Sequence, residues 1–109
     1  MREIAYYDDS AGPRPRLVGV GICDETPSAW SAVYFYYDPD YAAQSPGVAH
    51  VLFQMKLAAS RGLAHVYLGY FVTGCPSMRY KARFRPNERL VGWPAPGEEP
   101  RWVTAPPEV

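Results

Sequence analysis

The amino-acid sequence predicts an α+β domain with a mainly antiparallel sheet, one long helix and one short helix. Aromatic and β-branched residues are concentrated in short runs, which is typical of strands. A longer stretch has apolar side chains at helical spacing. Glycine and proline separate these runs, and no linker or internal repeat divides the 109 residues, so the chain is expected to form one small domain.

The first part of the chain predicts a meander of three strands. Residues 2–8, 17–23 and 30–38 are the predicted strands, and the turn around Pro27 is short enough for antiparallel pairing of the second and third. Gly19 and Gly21 share one face of the second strand. A neighbouring element can therefore approach that face closely.

A long helix is predicted to follow the third strand. Ser45 is a suitable cap and Pro46 suits the first helical position, while Gly62 marks the end of the helix at about residue 61. Lys56 lies off its apolar face. The apolar face consists of Val48, Val51, Leu52, Met55 and Ala59.

The next stretch predicts a strand that leads into a basic helix. Residues 65–72 have strand composition, Gly74, Cys75 and Pro76 break the run, and residues 77–84 form the short helix. A last short strand at 89–91 completes a domain of residues 1–92. The composition of residues 93–109 predicts an irregular tail.

Charge and cysteine content limit the classes of function. Eleven basic and eleven acidic residues cancel, which excludes a whole-molecule nucleic-acid field. A local patch remains open, since residues 79–89 contain five basic residues and one acidic residue. Cys23 and Cys75 have no metal-ligand or redox spacing, so we expect a reduced cytoplasmic protein without a metal site. No apolar run is long enough for a membrane span, and no membrane partner is expected.

The order β, β, β, α, β, α resembles the core of the GNAT acyltransferases. In that fold the third strand splays from the next one, and the acyl donor occupies the cleft with its phosphates at the helix start. The start here is Ser45–Pro46–Gly47, whose backbone amides suit an anion. The acetyl-CoA loop of true acetyltransferases is absent, so an acetyltransferase that uses coenzyme A is disfavoured.

Longer stretches resemble the C-terminal domain of the aminoacyl-tRNA–protein transferases of the N-degron pathway. The resemblance covers residues 16–91, and the segments YYDPD, LGY, CPSMRYKARFRP and NERLV carry most of it. The family includes arginyltransferases and bacterial aspartate/glutamate leucyltransferases. Membership implies transfer of arginine or leucine from charged tRNA to a protein with an N-terminal Asp or Glu. Aminoacyl-tRNA is then the co-substrate, and no cofactor is needed.

The chain also departs from the family pattern. In the family this domain follows a region with a cysteine cluster, and the resemblance starts inside the fold, so the core is predicted to be truncated at its N-terminus. A complementary N-terminal chain would restore it. The alternatives are a binding module without turnover or one chain of a split transferase. An exposed first strand also predicts self-association or a partner chain.

Aminoacyl transfer requires an oriented amine, removal of its proton and stabilisation of an oxyanion. Asp38 is a candidate base or amine anchor, and its alternative role is a strand-end cap before Pro39. Asp40 has a weaker case for the same chemistry. The helix start at Ser45 and Gly47 is the candidate tRNA contact.

Aromatic and basic residues complete the predicted site. Tyr67 and Tyr70 lie on opposite strand faces, so one of them is a candidate oxyanion donor or adenine stack, and a core position is the alternative. Tyr80 and Lys81 are a candidate phenol donor and cation, or else a half-buried tyrosine beside a solvated lysine. The candidate contacts to tRNA phosphates or to the acidic N-terminus, otherwise a solvated face, are Arg79, Arg83, Arg85 and, with less support, Arg89.

Overall fold

The computed structural model describes residues 1–69, 79–90 and 92–104. The chain forms two compact units, Met1–Gly69 and Tyr70–Val109. The first contains a four-stranded sheet and a long helix, and the second contains a two-stranded sheet. The part of the fourth predicted strand at 70–72 and the turn at Gly74–Pro76 lie outside the described residues. The predicted domain division after residue 92 stays a prediction.

The first unit contains four strands, two 3₁₀ helices and one α-helix. Its 3₁₀ helices are Asp9–Ala11 and Pro39–Gln44. The longer elements are β1 (Arg2–Asp8), β2 (Arg16–Glu25), β3 (Ala29–Tyr37), α1 (Pro46–Ser60) and β4 (His65–Tyr67).

The predicted meander is confirmed. β1 pairs with β2 and β2 with β3, both antiparallel, and the sheet order is β1-β2-β3-β4. β4 pairs in parallel with the beginning of β3, at Ala29–Ser31. The sheet is therefore mixed but mainly antiparallel, and the α+β class is confirmed.

A buried hydrogen-bond network joins α1 to the sheet. Trp30, Cys23 and Ala58 form the centre of the core. The indole Nε1 of Trp30 donates to Oε1 of the fully buried Gln54 over 2.9 Å, and the Cys23 thiol donates to the same oxygen over 3.2 Å. A buried polar group is tolerated only when it is hydrogen-bonded. The indole and the amide thus fix the rotation of the helix. The prediction that Cys23 is a core residue is confirmed.

The predicted buried face of α1 is wrong. The buried residues are His50, Val51, Gln54 and Ala58, whereas Leu52, Met55 and Ala59 are exposed. The close approach predicted for Gly19 and Gly21 explains the difference. A Cβ at position 21 would lie 2.3 Å from Cε1 of His50, so only glycine makes room for that ring.

The start of α1 also differs from the prediction. Ser45 makes no side-chain cap hydrogen bond and has left-handed dihedrals (φ 53°, ψ 60°). Its N–H donates to the carbonyl of Ala42 and closes the preceding 3₁₀ helix, which is incompatible with the extended conformation of a cap. Pro46 stands in the first turn as predicted. Gly62 follows the helix with a positive φ of 70°, also as predicted.

The second unit contains a basic 3₁₀ helix and a short β-ribbon. Arg79–Arg83 forms the 3₁₀ helix within the predicted helical segment 77–84, of which residues 77 and 78 lie outside the described residues. β5 (Glu88–Leu90) pairs antiparallel with β6 (Trp102–Thr104), so the predicted last strand has a partner inside the segment expected to be irregular. Within the described ranges, no helix is long and apolar enough to cross a membrane.

Candidate functional site

Asp38 lies in a charged cluster at the end of β3. Its Oδ2 accepts a hydrogen bond from Nη2 of Arg16 over 2.5 Å, and its Oδ1 accepts the backbone N–H of Asp40 over 3.0 Å. The Asp40 carboxylate lies 3.2 Å from the same Arg16 nitrogen. The backbone donor and the guanidinium together hold the pKa of Asp38 below its usual value. The carboxylate is therefore ionised at neutral pH and has little affinity for a proton.

This geometry decides what Asp38 can do chemically. It caps the 3₁₀ helix that begins at Pro39, which is the structural alternative expected from the sequence. A carboxylate that is held ionised is a weak proton acceptor and a good partner for a cation. Its chemistry thus suits an amine anchor better than a general base.

A second carboxylate ties the same cluster to β1. The Tyr41 hydroxyl donates to Oδ2 of Asp8 over 2.6 Å, and the Arg16 guanidinium lies over the Tyr41 ring at 5.4 Å from its centroid. The hydroxyl and amide of Ser10, together with Tyr41, lower the pKa of Asp8. The same hydrogen bond to Asp8 raises the pKa of Tyr41.

Sequence reasoning missed Arg16, Tyr41 and Asp8 as members of this cluster. The strand register held the signal. Asp8 pairs with Arg16 across β1 and β2, and the Asp38 amide donates to the Val18 carbonyl across β2 and β3. An antiparallel meander therefore brings these charges to one end of the sheet.

The beginning of α1 offers backbone amides without an acidic side chain in its first turn. The first amides of any helix lack intrahelical acceptors, and the helix dipole adds a partial positive charge. The Ala49 amide already bonds the Ser45 carbonyl over 3.2 Å. The amides of Gly47 and Val48 precede it, so this predicted contact keeps the chemistry of an anion site.

A buried aromatic pair lies between α1 and the sheet. The Tyr6 hydroxyl and Nδ1 of His50 share a hydrogen bond of 2.5 Å, and the His50 ring stacks on Phe35 with centroids 4.3 Å apart. Nε2 of His50 has no hydrogen-bond partner among the described residues. Burial lowers the pKa of His50 to about 4 and raises that of Tyr6 to about 12, with the Cys23 thiol adding to the latter. Both side chains are neutral at physiological pH.

The remaining candidates of the first unit are the strand tyrosines. Tyr67 ends β4, is 43% exposed and has its ring 6.2 Å from that of His65, so it is not a core residue. Tyr70 lies outside the described residues.

The other candidates belong to the second unit. Tyr80 is half-buried and its ring meets Phe84 edge-on at 6.5 Å. Lys81 is half-buried as well, and burial lowers its pKa. Arg83 and Arg85 are exposed, Arg89 is half-buried on β5, and Arg79 begins the 3₁₀ helix. The 3₁₀ helix thus gathers a phenol, a partly desolvated ammonium group and guanidinium groups within two turns.

Comparisons with known proteins identify the family. Residues 1–91 match the family model "Arginine-tRNA-protein transferase, C terminus". The aspartate/glutamate leucyltransferase of Stutzerimonas stutzeri (strain A1501) is 45% identical over 89 residues, which cover 82% of this chain and 35% of that protein. The enzyme of the same name from Stenotrophomonas maltophilia (strain R551-3) is 44% identical over 81 residues, which cover 74% and 32%.

A third relative agrees with these two. The aspartate/glutamate leucyltransferase of Pseudomonas putida (strain KT2440) is 40% identical over 89 residues, covering 82% of this chain and 35% of the relative. The chain spans about a third of the length of the curated relatives it matches. It belongs to the arginine-tRNA–protein transferase family, and its residues 1–91 correspond to the C-terminal region of that family.

Proposed function

We propose that this chain takes part in the transfer of an amino acid from charged tRNA to the N-terminal Asp or Glu of an acceptor protein. The observation that carries the proposal is the family match over residues 1–91. Relatives at 40–45% identity are named leucyltransferases, which favours leucine over arginine as the donated residue. The reaction needs aminoacyl-tRNA as co-substrate and no cofactor, and we place it in the cytoplasm.

The chemistry balances without a covalent enzyme intermediate. The α-amine of the acceptor attacks the carbonyl carbon of the aminoacyl ester, a C–N bond forms, and the ester C–O bond breaks. The tRNA leaves as its hydroxyl, and the amine loses one proton overall. Because the ester is already activated, positioning and oxyanion stabilisation supply most of the catalysis.

The candidate residues receive roles from their environments. Asp38, held ionised by Arg16, anchors the acceptor ammonium group before deprotonation. Lys81, whose lowered pKa brings it closer to neutrality, and Tyr80 act on the amine proton and the oxyanion. The tRNA contacts that we assign are Ser45, Gly47, Tyr67, Tyr70, Arg79, Arg83 and Arg85.

The direct test is a transfer assay on the purified chain. Charged tRNA carrying labelled leucine or arginine is incubated with peptides beginning with Asp, Glu or Gly, with a full-length relative as positive control. We expect label in the Asp and Glu peptides alone. Asp38→Asn should lower the transfer rate, whereas Asp9→Asn, an exposed aspartate on the first 3₁₀ helix, should not. Absence of label with an active control removes the enzymatic proposal for this chain.

A second candidate function follows from the length of the match. Because the chain spans about a third of its relatives, it suits a binding module for tRNA or an acidic N-terminus, or one chain of a split transferase. Binding of charged tRNA without turnover favours the module. Turnover that appears only after a complementary polypeptide is added favours the split enzyme.

The GNAT-like arrangement is part of the same proposal. Its support is the splayed geometry of β3, which pairs with β4 only at Ala29–Ser31 among the described residues. The beginning of α1 follows β3 through a single 3₁₀ helix. An experimental structure with an aminoacyl-adenosine analogue tests this assignment, because the analogue should lie beside the end of β3 and the first turn of α1.

A further inference from the structure

The exposed side of α1 carries an apolar stripe at regular spacing. Its members are Val48, Leu52, Met55 and Ala59, at intervals of four, three and four residues. Leu52 is 54% exposed and Met55 is 38% exposed. This spacing is the a/d seam of a helix that packs against another helix. Contiguous exposed apolar side chains mark interaction surfaces.

The buried side of the same helix makes the stripe unusual. Two of its four fully buried residues are polar, His50 and Gln54. A helix on the surface of a globular protein normally has the opposite arrangement, with apolar residues inside and polar residues outside. The outer apolar seam is therefore not a by-product of the internal packing of α1.

The spacing indicates what kind of partner fits the stripe. From Val48 to Ala59 the seam runs for roughly 16 Å, about three helical turns. Side chains at three- and four-residue intervals form ridges and grooves that accept the ridges of a second helix. An extended strand has a period of two and does not match this seam.

The charge of α1 restricts the partner further. Lys56 is the only charged residue of the helix and lies one turn beyond Leu52, at the flank of the seam. A second copy of α1 brings no carboxylate to pair with it. An acidic residue on a different helix does.

We propose that this stripe docks an amphipathic helix of another polypeptide segment, about three turns long, with an acidic side chain opposite Lys56. The curated relatives contain roughly twice as much polypeptide outside the match as inside it, so proteins of this family have ample sequence to supply such a helix. The inference concerns binding and does not depend on the transfer activity.

The test uses the complete chain and two designed peptides. Both peptides are helices of roughly three turns with leucine at their a and d positions. One carries glutamate at the flanking positions and the other carries lysine. Titration is followed by fluorescence anisotropy at low salt, where charge pairs are least screened.

The expected pattern has three parts. The chain binds the glutamate peptide about tenfold or more tightly than the lysine peptide. Leu52→Glu abolishes binding, whereas Tyr34→Glu, which changes a 68% exposed apolar residue on β3, leaves it intact. Lys56→Glu reverses the preference between the peptides. Circular dichroism confirms that each variant is folded.

Three outcomes overturn the proposal. If neither peptide binds, the stripe is not a docking surface. If both peptides bind equally, the acidic character of the partner is wrong. If light scattering shows a dimer that Leu52→Glu dissociates, the occupant is a second copy of the chain.

Discussion

The two compact units of this chain have opposite charge. Residues 1–69 contain five basic and seven acidic side chains, and residues 70–109 contain six basic and four acidic ones. The formal net charge of zero is therefore the sum of an acidic unit and a basic unit. For a polyanionic substrate such as tRNA the local charge matters more than the total, because screening limits electrostatic contacts to roughly 10 Å.

The units also differ in how their apolar residues are used. The first places Trp30, Cys23 and Ala58 in a core closed by α1. In the second, Trp93 is 83% exposed and Trp102 is 44% exposed. We therefore expect substitutions in the first unit to act mainly on stability, and those at basic residues of the second to act on RNA binding.

The largest effect expected in the first unit is the pH dependence of its stability. The pKa of His50 is about 4 in the folded state, below its ordinary value of 6.5, so the unfolded state binds the proton more readily. The stabilisation is complete above pH 6.5 and is lost as the pH falls towards 4, about 3 kcal/mol in total. Chemical denaturation at a series of pH values measures it.

A pair of variants separates this effect from other acidic transitions. His50→Gln should flatten the curve between pH 6.5 and 4, and His65→Gln, at an exposed position, should not. Asp8, Glu25 and Asp38, whose pKa values are lowered, destabilise the fold only at still lower pH. A wild-type curve that is flat between pH 6.5 and 4 contradicts the buried neutral state of His50.

The next largest effect concerns the glycine under the His50 ring. Gly21→Ala places a Cβ 2.3 Å from Cε1 of His50, so either the ring or the strand must move, at a cost of about 3 kcal/mol. Gly19→Ala meets Phe35 at 3.2 Å and should cost less. Thermal or urea unfolding gives both values. If Gly21→Ala is no less stable in the wild type than in a His50→Ala background, the close contact is not the cause.

The second unit is tested by the salt dependence of tRNA binding. Arg83→Gln and Arg85→Gln each remove one exposed guanidinium, so each should reduce the slope of log K against log salt concentration by about one. Arg14→Gln, on an exposed loop of the first unit, is the matched control and should leave the slope unchanged. Equal effects of all three substitutions contradict the division of charge between the units.

The smallest effect is expected at the Asp38 cluster. Arg16→Gln removes the guanidinium that holds the pKa of Asp38 low, so its carboxyl group should titrate at a higher pH. NMR titration of the Asp38 side chain measures the change. Arg2→Gln pairs with Glu25 instead and should leave Asp38 unaffected. An unchanged Asp38 titration in Arg16→Gln means that the backbone amide of Asp40 alone sets the pKa.

Sequence patterns predicted the strands better than the helix surface. β1 agrees with the prediction residue for residue, and β2 and β3 agree within a few residues. Alternating side chains and short turns leave a meander few other pairings. The helix start was also recognisable at Pro46, although the capping role of Ser45 was not realised because its amide closes the preceding 3₁₀ helix.

The candidate site divides in the same way. Asp38, Tyr80 and Lys81 are recognisable from motifs, because they stand in segments typical of the transferase family. Arg16, Tyr41 and Asp8 are not, since their contacts join residues 22 to 33 positions apart and depend on strand register. Periodicity alone cannot supply a pKa, because desolvation and hydrogen bonding are set by neighbours that are distant in sequence.

The sequence by itself determined the family, the order of the elements and the uneven distribution of charge. Only the tertiary structure decided which side of α1 is buried. The indole of Trp30 requires the Gln54 amide, and the glycine at position 21 accepts the ring of His50, so the helix turns its polar residues inward. Hydrogen-bond satisfaction and close packing against the sheet thus outweighed the apolar periodicity of α1 and left its seam exposed for a partner.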